Sequence, residues 1–321
     1  MTARPVIIDT DGGVDDALAI LLAGAAPELD IRAITTVFGN VGLAQATKNV
    51  ALVLEVAGRG GAVEIAAGHV RPLLRTIVDA EAVHGADGLG GVTLAPDSEW
   101  AGGTGTSPDL ACHAPERLIA EARAHGADLG IVAVGPLTNL AAAWLAAPEV
   151  MAGIGDLVIM GGAVSGKGNV TATAEFNFFC DPEAAAIVMA SAMPKTLVPL
   201  ELTHQALLTR EEVRRWGAAH ESAGARFVAA ITGHYMDFYR KKIGHDGCHP
   251  HDALAVATLI APGLFRFEPQ CVAVETGGAL GAGMSVVDHR GGQAPNAKVG
   301  VGVDAPGFSA LLEERIWRRA L

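Results

Sequence analysis

Four aspartates, Asp9, Asp11, Asp15 and Asp16, fall within eight positions of the stretch VIIDTDGGVDDALAILLA at residues 6–23. Carboxylates at that density repel one another, and a chain carries them most readily where a positive charge sits among them. A hard divalent cation suits such a cluster, because calcium takes about six to eight oxygen ligands. Asp11, Asp16 and Asp252 could supply carboxylates, and a carbonyl near Val134 a neutral oxygen. Each acid also has a plain structural alternative. Asp9 could bind backbone amides of its own turn, and Asp15 or Asp16 could favour a helix N-terminus. Asp252 adjoins His251, whose imidazole ordinarily titrates near neutrality.

Other metal and phosphate chemistries fit less well. DTDGGVDD resembles the start of an EF-hand loop, but the sixth position is Val14 and the twelfth is Ile20, where that loop needs Gly and Glu. No GxxxxGK[ST] occurs. The DxD after the first strand also admits an aspartyl-phosphate phosphatase with Asp9 as nucleophile. The later acidic motif of that class is missing, since GDLVIM at 155–160 has no second acid in place.

The elements that must position these residues alternate. Strand-length apolar runs at VIID, IRAITTVFG, EIAAG, LGIVAVG, DLVIMGG and KTLVPLEL are separated by helical patterns such as LAQATKNVALVLEVAG, ERLIAEARAHG, TNLAAAWLA, DPEAAAIVMAS and HDALAVATLI. That rhythm predicts βαβ units: an open, mostly parallel, Rossmann-like α/β sheet with helices on both faces, in a single domain over 1–321. QCVAVET and MSVVD read as paired strands. Ligands of such sheets bind outside the carboxyl ends of the strands. Those ends carry the aspartate run, Gly39-Asn40, the GPLTN loop, and a Gly-rich loop with Asn169, Glu175 and Asn177. Asn139 of GPLTN is expected to cap the helix that follows. Residues 233–250 gather His, Tyr and charge and read as a lid.

Composition narrows the class. The 321 residues carry 35 acidic against 23 basic side chains, a net charge of −12, which disfavours nucleic acid and anionic membranes. The longest uncharged apolar run, ALAILLAGAA, is far short of the roughly 20 residues of a spanning helix. No signal-peptide core precedes Asp9, so a cytoplasmic protein is expected. Cys112, Cys180, Cys248 and Cys271 are scattered and read as free thiols. His69, His113, His125 and His220 read as surface or packing residues.

Together these residues resemble the nucleoside hydrolases, the inosine-uridine-preferring and ribosylpyrimidine hydrolases. DTDGGVDDALA (9–19), FGN (38–40), VHGADGLGG (83–91), VGPLTNLA (134–141), IMGGAV (159–164), GNVTATAEFNFFCDPEAA (168–185) and HDALAV (251–256) carry the resemblance in order and spacing, over nearly the whole chain. It implies one bound calcium ion, hydrolysis of the N-glycosidic bond of ribonucleosides, and a homodimer or homotetramer. Carried over by position, Asp11, Asp16, Asp252 and the Val134 carbonyl would be metal ligands, with Asp11 as general base. Asp15 and Asn177 would hold the ribose 2′-hydroxyl, Asp252 the 3′-hydroxyl, and Asn169 and Glu175 the 5′-hydroxyl. Asn40, Met160 and Phe176 would line the ribose pocket. His84 and His251 would face the base, with His251 able to protonate it as it leaves; Tyr239, from its own place in the sequence, could stack on the base or serve only in packing.

The chemistry agrees independently. Glycosidic cleavage passes through an oxocarbenium-like state, so the ribose must be gripped at its hydroxyls over a carboxylate-rich floor. The sequence departs from the family pattern at 95–113 and at Gly12-Gly13, where Pro or Ala is frequent. The competing readings are a non-catalytic, calcium-dependent riboside-binding protein and the phosphatase above.

Overall fold

The computed structural model describes residues 3–103, 110, 111 and 113–318. Twelve strands are present among them: β1 (Arg4–Thr10), β2 (Leu29–Thr36), β3 (Glu64–Ala67), β4 (Gly130–Ala133), β5 (Asp156–Met160), β6 (Lys195–Val198), β7 (Leu208–Thr209), β8 (Gly247–Cys248), β9 (Phe265–Gln270), β10 (Val272–Val274), β11 (Ser285–Val287) and β12 (Ala297–Val303). Eight form the central sheet in the order β3-β2-β1-β4-β5-β6-β12-β9. All neighbours in it run parallel except β9, which pairs antiparallel with β12 at one edge. The expected open α/β sheet is therefore present, with an antiparallel edge strand that the alternation did not predict. β10 and β11 pair antiparallel, as their sequences suggest.

The helices follow the strands: α1 (Val14–Gly24), α2 (Leu43–Val56), α3 (Glu81–His84), α4 (Ala114–His125), α5 (Thr138–Ala146), α6 (Pro148–Met151), α7 (Phe176–Cys180), α8 (Pro182–Ala190), α9 (Leu200–Thr203), α10 (Arg210–Ala219), α11 (Ala223–Ile243), α12 (His251–Ile260) and α13 (Ala305–Leu312). Side chains alternate along each strand, so the sheet has a separate core on each face. Val6, Ile8, Ile34, Val132 and Val158 pack with α1 and α12 on one side. Ile7, Ile131, Leu157, Ile159 and Leu197 pack with α4, α5 and α8 on the other. Every residue of α1 is buried, which explains its unbroken apolar run and small alanines. No described helix is long and apolar enough to cross a membrane.

One sequence expectation changes in detail. Of residues 233–250, expected as a lid, 233–243 are the last turns of the 21-residue helix α11. Ser222 Oγ caps it at Ala225 N, and Gly244, at φ +76°, ends it. The segment 95–113 is described except at 104–109 and 112, and Trp100 in it packs edge-on against Phe227 of α11. Cys112 lies outside the described residues; Cys180, Cys248 and Cys271 are free thiols.

Candidate active site

Parallel strands deliver their carboxyl ends to one edge of the sheet, and β1 ends there in the aspartate run. The turn into α1 depends on Gly12, whose φ of +71° is left-handed and where a Cβ would lie 2.7 Å from Ala46 Cα. Asp16, the third residue of α1, reaches back to cap it. Its Oδ2 accepts from Gly13 N at 2.7 Å and its Oδ1 from Asp11 N at 3.2 Å and from the Thr10 hydroxyl. Asn40, at the end of β2, binds the neighbouring acid. Its backbone N–H donates to Asp11 Oδ2 at 2.7 Å, and its Nδ2 bridges Asp11 Oδ1 at 2.9 Å and Asp16 Oδ2 at 3.1 Å.

Asp252 enters from the first turn of α12. Carboxylate oxygens of Asp15, Asp16 and Asp252 lie within 4.8 Å of one another, and all three residues are buried. Asp11 stands one hydrogen-bonded step away, through Asn40, so the tight triad holds Asp15 where the sequence reading placed Asp11. Burial, then the charge of Asp16, holds the Asp11 and Asp15 carboxyls well above their ordinary range. Asp252 is raised by burial and then by Asp15, Asp16 and Asp11. Asp15 Oδ1 is buried with no hydrogen-bond partner. An all-oxygen triad with an orphaned anionic atom fits a hard cation, and removing such charges from water without one is costly.

The Val134 carbonyl accepts from Asn177 Nδ2 at 3.1 Å, and the same amide donates to Met160 O at 3.2 Å. Asn177 thus ties the ends of β4 and β5 together at the cleft. Glu175 caps α7. Its carboxylate accepts from Asn177 N, Phe178 N and Gly162 N at 2.8–3.1 Å, while burial raises its pKa. Asn169 is exposed at the rim, where its carbonyl accepts from Lys242 Nζ at 3.3 Å.

A cleft of about 700 Å³ opens over these groups, lined by Asp15, Asn40, Val134, Met160, Asn169, Glu175, Phe176, Asn177 and Asp252. His84, Tyr239 and His251 line it as well. His84 Nδ1 accepts from Val14 N at 3.2 Å, so its proton sits on Nε2. Burial holds that imidazole neutral, with a pKa lowered to about 3, so its 3.8 Å approach to Asp15 is not an ion pair. His251 Nδ1 meets Thr203 Oγ1 at 2.7 Å, and Thr203 itself donates to Leu200 O. The imidazole is therefore the donor to Thr203, and its Nε2 accepts from the Tyr239 hydroxyl at 2.9 Å.

A sequence model of the family described as inosine-uridine preferring nucleoside hydrolase matches residues 6–310. The chain belongs to that family. Pyrimidine-specific ribonucleoside hydrolase RihA of Citrobacter koseri is 39% identical over 98% of this chain and 98% of its own. Among solved structures, a plant nucleoside hydrolase, PpNRh1, is 32% identical with a TM-score of 0.89, covering 98% of this chain and 99% of its own. A purine-preferring ribonucleoside hydrolase from Gardnerella vaginalis is 33% identical with a TM-score of 0.88, over 98% of both chains. The resemblance read from the motifs is thus the family, and the chain is a glycosidic-bond hydrolase.

Other residues of this nucleoside hydrolase take places the sequence did not reveal. Asn139 does not cap α5. It is the second residue of that helix and wholly buried, and its Nδ2 donates to Asp9 Oδ1 at 2.8 Å and Thr36 O at 3.0 Å. Asp9 also accepts from Thr35 Oγ1 at 2.5 Å, so side chains rather than its own turn's amides hold it. His69 donates from its backbone to Asn139 Oδ1, away from the cleft. His204 and His249 join His251 in the cleft wall, with rings 4.8–5.8 Å apart. Tyr235 stacks on His84 at 4.9 Å. The signal for part of this wall was the spacing of Tyr235, Phe238, Tyr239 and Lys242 along one face of α11.

Proposed function

We propose that the protein hydrolyses the N-glycosidic bond of ribonucleosides, releasing ribose and free base, in a calcium-dependent reaction. The observation that carries this reading is the buried carboxylate triad, with the orphaned Asp15 Oδ1, under a cleft whose far wall is imidazole and phenol. Asp11, Asp16, Asp252 and the Val134 carbonyl would hold the ion, with Asp15 close enough to join them. Bound calcium supplies a polarised, oriented water and a fixed charge under the ribose.

The chain's own residues do the rest. Asp11 takes the proton of the attacking water, and the Asn40 contacts on both its oxygens fix its orientation. Asp15 and Asn177 hold the 2′-hydroxyl, Asp252 the 3′-hydroxyl, and Asn169 and Glu175 the 5′-hydroxyl. Met160 and Phe176 close the sugar pocket. The carboxylate floor stabilises the positive charge that develops on the ring. As the bond breaks, the Tyr239 hydroxyl, held until then on His251 Nε2, turns to the departing base and gives it its proton, and the phenolate left behind takes a proton back from solvent once the base has gone. His84 offers Nε2–H to the base.

Relatives named pyrimidine-specific are 38–39% identical to this chain, above the 33% of the purine-preferring structure, which favours pyrimidine ribonucleosides. We assign this activity to nucleoside salvage by a homodimer or homotetramer, as the family resemblance implies. The test is ribose release from uridine, cytidine, inosine and adenosine, before and after chelation. Release from the pyrimidine pair that chelation abolishes and calcium restores is the expected result. Calcium binding without cleavage of any riboside would instead mark a riboside-binding protein.

A further inference from the structure

Asn49 lies on α2, is 1% exposed, and does not line the cleft. Its amide nevertheless joins the two sides of the site. One Nδ2 donates both to Gly12 O, in the turn between Asp11 and Asp15, and to Asp87 O, in the loop that follows His84, each at 2.8 Å. Gln45 Nε2 donates to Asn49 Oδ1 at 2.8 Å and fixes which way the amide faces. We propose that Asn49 is a positioning residue that holds the carboxylate turn and the base-side loop in register.

The loop it grips behaves as one body. The Asp87 carboxylate accepts from Leu89 N, Gly91 N, Thr93 N and Thr93 Oγ1 at 2.6–2.9 Å, so moving the Asp87 carbonyl moves residues 87–93 together. Gly88 packs straight onto the clamp. A Cβ there would lie 2.9 Å from Asn49 Nδ2 and 3.2 Å from Gly12 O, at a φ of +75° that favours glycine. A second contact completes the joint, from Val14 N to His84 Nδ1.

Only an amide does this work. It gives a proton to each of two buried carbonyls, whereas alanine leaves both unpaired and aspartate sets a carboxylate against them. The turn bears the acids under the ribose, and the loop bears the imidazole facing the base. Separating them misaligns leaving group against sugar, and a shift of about 1 Å costs on the order of a hundredfold in rate.

The inference rests on the proposed nucleosidase reading, and its test separates the two. Wild type and Asn49→Ala are compared on uridine and on 4-nitrophenyl β-D-ribofuranoside, at a temperature where circular dichroism shows both folded. Calcium affinity is measured in parallel by titration calorimetry. For Asn49→Ala we expect kcat on uridine to fall about thirtyfold or more, with KM changed less than about threefold. The fall on the aryl riboside is smaller, because nitrophenolate departs without a proton from the base side. Gln45→Ala, which leaves Asn49 in place but frees its amide, gives the same pattern at about two- to fivefold and serves if Asn49→Ala does not fold. An equal loss on both substrates, or kcat within twofold of wild type, overturns the proposal. Wild-type inactivity on both ribosides would sink the nucleosidase reading instead. Calorimetry then decides for Asn49: weaker calcium binding in the variant upholds the clamp, and unchanged binding overturns it.

Discussion

The floor and the wall of the cleft are built by different means. The floor is anionic and buried and comes from strand tips and helix starts: Asp11, Asp15 and Asp16 after β1, Asn40 after β2, Asn177 tied to the ends of β4 and β5, and Asp252 at the start of α12. The wall is aromatic and neutral and comes from one face of α11 with His84, His204, His249 and His251. A sheet edge holds groups rigidly and close, which mutually repelling carboxylates need if they are to share a cation. A helix face offers a broad surface, which a flat leaving group needs.

Variants can break that contrast, and the largest effect is expected at the floor. Asp11→Ala should lower kcat on uridine by about ten-thousandfold while the protein stays folded, as loss of a general base does at the upper end of its range. Near-normal turnover in the purified variant would remove Asp11 from the mechanism. At the wall, Tyr239→Phe should cost about a hundredfold on uridine and far less on an aryl riboside, because only the nucleoside needs a proton for its leaving group. Equal losses on both would make Tyr239 a packing residue.

Stability against pH should sharpen the contrast, because the two regions have opposite signs. Asp9, behind the floor, is raised from 3.8 to about 7 by burial, and Asp11, Asp15 and Asp252 are raised too. Folded carboxyls with raised pKa bind more protons than unfolded ones, so their contribution is present at low pH and lost as pH rises from about 4 to 7. His84 and His249 are lowered by burial from 6.5 to about 3 and about 4. The unfolded chain then binds more protons, so their contribution grows as pH rises through about 4 to 6.5. Calcium should cancel most of the floor's loss and leave the wall's gain. Melting temperatures at pH 4.5–7 should therefore rise with pH in calcium and flatten or fall in chelator. Parallel curves in the two conditions would contradict the sign difference.

The smallest effect is expected where floor and wall meet at the rim. Lys242 Nζ, on α11, bonds the carbonyl of Asn169 at 3.3 Å. Exposed contacts of this kind contribute little, so Lys242→Ala should raise KM about two- to threefold and leave kcat alone. A change in kcat instead would place Lys242 in the chemical step.

The same division explains what could be read from sequence. Strands of a parallel sheet expose their carboxyl ends on one edge, so the polar residues after apolar runs at 9–16, 40 and 175–177, and the carbonyl of Val134, converge without any knowledge of packing. Asn139 misled because a helix-start asparagine usually caps, yet here the first helical residue is Thr138 and the side chain turns inward to Asp9. His204 and His249 were silent, since each follows a short segment whose place beside His251 is set by tertiary packing, of α9 on α12 and of β8 on α11. β9 and β12 were also silent. Alternating half-exposed residues in FRFEPQ and glycines in AKVGVGV give weak strand signals at an edge.

The continuous helix α11 has an evolutionary consequence. Tyr235, Phe238, Tyr239 and Lys242 recur on its cleft side with helical spacing, while none of the floor acids belongs to it. On the proposed mechanism, substitutions at Tyr235, Phe238 and Lys242, with Tyr239 kept as the proton donor, would change which base is accepted and leave the acids under the ribose untouched. A combinatorial library over those three positions is thus a short route by which this scaffold could diversify its diet of nucleosides.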